Sequence, residues 1–137
     1  MKKESKFEPK IVTFICTRSS HAMQKRRELK FPDNVKVIRI ICLGRINPSF
    51  IFKTFERGAD GVLLIGCPID ECQYSFGSKL AEEHLFTTKK IGNLLGIDKA
   101  RLKLVNISLT KDLKFKSKVN KFFRDVKKLG PSPLSNR

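Results

Sequence analysis

Four cysteines, Cys16, Cys42, Cys67 and Cys72, are the residues of this 137-residue chain best suited to chemistry. A thiolate can be a nucleophile, a redox group or a soft metal ligand, and four of them make a full ligand set for zinc or for a [2Fe-2S] cluster. The gaps between them are 25, 24 and 4 residues. Structural zinc sites usually draw on paired C-x2-C knuckles, so this spacing suits zinc less well. A [2Fe-2S] cluster asks only two thiolates of each iron and accepts varied spacings. Thiols that merely pack in a core are the third reading. Asp70 and Glu71 lie between the last two cysteines, and carboxylates there disfavour an exposed reactive thiolate without disfavouring a cluster ligand. Arg18 and Arg45 follow Cys16 and Cys42 closely, where each can offset a cluster's negative charge or serve as a surface arginine.

The cysteines are placed by a regular alternation of elements. The runs "KIVTFI" (10–15), "VKVIRII" (35–41), "GVLLIG" (61–66) and "LKLVNIS" (102–108) are short and rich in Val, Ile and Leu, as strands buried on both faces of a parallel sheet are. Between them lie helical stretches. Asn47 and Pro48 read as N-cap and first residue of a helix that carries Ile51 and Phe55 and stops at Gly58. A second helix starts near Gly77 and Ser78, turns Leu80, His84, Ile91 and Leu95 toward one face, and ends at Gly96. The last has Phe115, Val119, Phe122, Val126 and Leu129 at helical spacing before Gly130 and Pro131. A first helix over 20–29 has little apolar periodicity. This order predicts a small doubly wound α/β domain, flavodoxin-like, with a four-stranded parallel sheet of order 2-1-3-4. Cys16, Cys42 and Cys67 then follow three neighbouring strands, with Cys72 in the loop beyond. That carboxyl edge is where open α/β sheets bind ligands.

Composition bounds the rest. One domain is expected over 10–130, with a basic N-terminal arm (1–9) and a C-terminal tail (131–137). "IVTFIC" is too short for a signal-peptide core or a bilayer span, so a soluble, cytoplasmic protein is expected, in which disulfides are disfavoured. The net charge of +16 concentrates in residues 1–30 and 111–137. Such a charge draws nucleic acid, anionic membranes or acidic protein surfaces. "KFKSKVNKFFRDVKK" interleaves phenylalanines with basic residues and so keeps a nucleic-acid-binding domain in view as the rival, although the phenylalanines lie on the helix's apolar stripe. An enzyme is not indicated. Thr17, Ser19 and Ser20 lack a G-x-S-x-G elbow, His21 and His84 lack partners at ligand spacing, "LGRINP" is no G-x-G-x-x-G fingerprint, and no acidic cluster follows the first strand as a phospho-receiver would need.

Taken together, "PKIVTFIC", "VKVIRIICLGRINPSFIFKTFERGADGVLLIGC", the C-x4-C-Q-Y segment and "GIDKARLKLVNIS" resemble the delta iron-sulfur subunit family of methyl-viologen-reducing hydrogenase, associated with heterodisulfide reductase. The resemblance spans about residues 9 to 130 and includes the C-x-G-R-x-x-P segment from Cys42 to Pro48, the G-A-D-G-V-L stretch and G-C-x4-C in order. It implies an α/β subunit with one [2Fe-2S] cluster on Cys16, Cys42, Cys67 and Cys72. It also implies electron transfer from a hydrogenase or formate dehydrogenase partner to the flavin subunit of heterodisulfide reductase, with no nucleic acid and no membrane span. Two departures stand out. The family's C-x2-C pair after the first strand reads "CTRS" here, with Ser19 in second place, and the loop after Cys67 reads "PIDEC". A cluster-free or zinc-bearing adaptor of the same fold is the alternative these departures leave.

Overall fold

The computed structural model describes residues 7–16, 31, 33–66, 77–106 and 115–134. Four strands, β1 (Ile11–Cys16), β2 (Val35–Ile40), β3 (Gly61–Gly66) and β4 (Leu102–Asn106), form one parallel sheet in the order β2-β1-β3-β4. The three described helices are α1 (Pro48–Glu56), α2 (Gly77–Leu94) and α3 (Phe115–Leu129). This is the small doubly wound α/β domain that the alternation predicts. The helix expected over 20–29 lies outside the described residues.

Local chemistry accounts for the ends of α1. The Asn47 side chain accepts the Phe50 N–H at 3.0 Å, satisfying one of the helix's open donors, and Pro48 occupies the first turn, where a missing N–H costs nothing. Gly58 ends the run with φ at +111°, a left-handed geometry that a side chain would strain. Ile51 and Phe55 of this helix are fully buried, and each such side chain contributes about 1.5–3 kcal/mol through removal from water.

Two cores result, one on each face of the sheet. On the first, Phe14, Cys16, Val62, Leu64 and Leu102 meet α1 and α2; on the second, Ile11, Ile15, Leu63, Ile65 and Val105 meet Val119, Phe122 and Val126 of α3. Two expectations change. β2 is an edge strand, so it is not buried on both faces: Val37 is 40% and Ile38 36% exposed. On α2 the larger apolar residues Leu80 and Ile91 are exposed, as is Leu95 just beyond its end, and the face that packs is made of Ala81, Leu85, Thr88 and Gly92.

The amino ends of the strands are locked by polar bonds. Asp60 accepts the Lys10 N–H at 2.8 Å and the Ser132 N–H at 2.9 Å. The buried Arg101 guanidinium donates to the carbonyls of Asp60, Leu129, Gly130 and Pro131, collecting the last carbonyls of α3 and the chain beyond it. Ser132 is buried and Leu134 packs against the first core, so residues 131–134 are tied to the domain.

Candidate metal centre at the carboxyl edge

Register fixes the level of the strand ends. Cys16, the last residue of β1, pairs with Ile40 of β2, and Ile15 pairs with Ile65 of β3, so Gly66 stands level with Cys16. Beyond β2 the chain passes through Ile41 to Cys42, which caps a 3-10 turn, Leu43–Arg45. The Cys42 Sγ accepts the Gly44 N–H at 3.4 Å. Leu43 then folds back over the sheet on the same face as Cys16. A Cβ on Gly66 would come within 2.6 Å of the Leu43 Cδ1, so glycine is what lets the Cys42 turn rest on the end of β3. The next residue in the chain is Cys67.

Two further residues shape this edge. His84 of α2 holds its Nδ1 2.7 Å from the Ile46 carbonyl, where the ring N–H donates and ties α2 to the segment just after the Cys42 turn. Asn106 ends β4 opposite Gly66, and its buried Oδ1 has no hydrogen-bond partner among the described residues. Arg45 is exposed at the end of the 3-10 turn.

The structure therefore brings Cys16 and Cys42 to one edge as expected, but in different settings. Cys16 lies inside the strand at 5% exposure, packed with Leu43 and Ile46, and this position suits a core thiol as well as a ligand. Cys42 is half-buried with its sulfur taking a backbone N–H, the bond type that protein backbones make to cluster sulfurs. Cys67 and Cys72, with Ser19, Arg18, His21, Tyr74 and Phe76, lie outside the described residues. Among the described residues no three His, Cys, Asp or Glu side chains gather as a metal site. The described part of the thiolate set offers a cluster two cysteines on neighbouring chain ends and one backbone donor, while Asn106 stands on β4, two strands from Cys16. Sequence reasoning missed Gly66 and Asn106, and it named His84 only as a helix residue and a histidine without a partner at ligand spacing. Only Asn106, a polar residue closing an apolar run, gave a signal in the sequence.

The aromatic residues behind the nucleic-acid reading have another task. Phe122 is buried against the sheet and Phe123 packs on the same core, so neither is presented for base stacking. No helix among the described residues is long and apolar enough to cross a membrane.

The family model for the methyl-viologen-reducing hydrogenase delta subunit matches residues 11–130. The chain belongs to that family. Iron-sulfur subunits of F420-non-reducing hydrogenases match along most of their length. The vhc iron-sulfur subunit of the Methanococcus voltae enzyme is 34% identical over 131 residues, 93% of this chain and 91% of the relative. The iron-sulfur subunit of the Archaeoglobus profundus enzyme is 35% identical over 128 residues, covering 91% and 93%. A third relative belongs to the ferredoxin/F420H2-dependent CoB-CoM heterodisulfide reductase of Methanosarcina acetivorans and is 34% identical over 126 residues. There the match takes in 90% of this chain and 16% of the relative, so the chain spans about one sixth of the heterodisulfide reductase polypeptide it matches.

Proposed function

We propose that this chain is an electron-transfer iron-sulfur subunit that works between a hydrogenase or formate dehydrogenase partner and the flavin subunit of a heterodisulfide reductase. The observation that carries the reading is the placement of Cys16 and Cys42 on the carboxyl edge, with Gly66, level with Cys16, directly before Cys67 in the sequence. Relatives named both as hydrogenase iron-sulfur subunits and as heterodisulfide reductase subunits support the same pair of partners.

Cys16, Cys42, Cys67 and Cys72 would hold one [2Fe-2S] cluster, which supplies one-electron transfer when bound. The chain's own part is to position and tune. The Gly44 N–H on the Cys42 sulfur would withdraw negative charge from that ligand and so raise the potential of a bound cluster. Leu43 and Ile46 exclude water from one side, and His84 holds the turn in place. In a complex of this chain with its hydrogenase and reductase partners, Cys42→Ala should abolish donor-driven heterodisulfide reduction while the subunits still co-elute. Unchanged turnover in that complex would show that the chain is an adaptor outside the electron path.

A further inference from the structure

A groove of about 830 Å³ opens between β2, β1 and α1, on the sheet face that also carries Cys16. Its floor and wall are Phe14, Ile38 and Phe50, with Phe14 and Phe50 edge to face at 5.4 Å and Phe50 52% exposed. Lys10, Lys36, Lys53 and Arg57 stand around it. Two carboxylates also line it, Glu8 and Asp33, and Glu8 lies 3.4 Å from Lys127. β2 has a strand partner on one side only among the described residues, and Lys36, Val37, Ile38 and Arg39 are exposed.

We infer that this groove and the β2 edge dock an extended acidic segment of a partner protein, which adds a strand beside β2 and seats apolar side chains on Ile38 and Phe50. Exposed strand edges accept such segments through backbone bonds, and alternate side chains then reach one face. The cationic rim selects the charge. It also disfavours a second copy of this chain, since a surface with net charge +16 repels itself and lysine on an edge strand blocks edge-to-edge pairing. The inference rests on the chain working within a complex and needs no cluster.

The test uses the full chain and a synthetic peptide that alternates glutamate with isoleucine and phenylalanine. Binding should slow amide exchange in Lys36 to Arg39, and Lys36→Glu with Lys53→Glu should weaken it by about tenfold or more. Lys118→Glu with Lys128→Glu, the same charge change on α3, should leave the affinity within about twofold. Replacing the peptide's apolar residues by serine should abolish binding. Protection elsewhere, equal loss in both double variants, no binding, or a dimer of the chain alone that protects β2 would each overturn the proposal. Iron content should be the same in all variants, so a failure of docking stays distinct from a failure of the cluster reading.

Discussion

The two ends of the sheet are built on different principles. At the amino end, Asp60 and Arg101 join four separate parts of the chain through charge-assisted hydrogen bonds, all of them between groups of the protein itself. At the carboxyl end the described polar contacts are fewer: the Cys42 sulfur on Gly44, His84 on Ile46, and a buried Asn106 oxygen without a partner among the described residues. Charged groups bind the described chain together at the amino end, and the thiols of Cys16 and Cys42 stand at the carboxyl end. The contrast teaches that one sheet can carry its charge-assisted bonds at one edge and its sulfur at the other.

Changes at each end should therefore separate stability from cluster binding. The largest effect is expected for Arg101→Met, which leaves four carbonyls without their donor and should lower unfolding stability by about 3 kcal/mol or more in urea titrations followed by circular dichroism. Iron bound per folded chain should stay constant. Gly66→Ala should do the reverse: the added methyl group pushes Leu43 away from β3 at a cost of about 1–3 kcal/mol, and iron should be lost from chains that remain folded. Were both variants to lose iron in proportion to unfolded chain, the two edges would not be independent.

The smallest effect lies on α2. Lys89 is half-buried, and its pKa is lowered by that burial first and then by the nearby charges of Lys103 and Lys99. Its protonated form is therefore less favourable in the folded chain than in the unfolded one. This penalty is fully present at neutral pH and fades as pH rises through the lowered pKa toward the ordinary value of 10.5. Lys89→Gln should stabilise the protein at pH 7 by roughly 0.5 kcal/mol after solvent screening. The gain should shrink as pH approaches 10.5, as thermal unfolding at several pH values would record.

The strand order and the cap of α1 were legible because apolar runs, Asn47-Pro48 and Gly58 each obey local rules. The placement of Cys42 just beyond β2 followed from the same pattern. Cys16 moved from the loop into the strand by one residue, enough to bury it, since boundaries depend on pairing with β2 rather than on residue type. Packing on α2 was hidden as well: Ala81 and Gly92 carry little hydrophobic signal, yet they are buried while Leu80 and Ile91 are exposed. Nothing local marks Arg101 as a clamp, because its carbonyl partners come from residues 28 to 41 positions away in the chain.

The central claim is that four cysteines hold one cluster, and counting iron and acid-labile sulfide in protein purified without oxygen tests it most directly. The account predicts about two of each per chain. It also predicts their loss on replacing Cys16, Cys42, Cys67 or Cys72 by alanine, and their retention in Ser19→Ala. Stoichiometric zinc in their place, or an intact anaerobic complex with neither metal nor sulfide, would contradict it and leave an adaptor of the same fold.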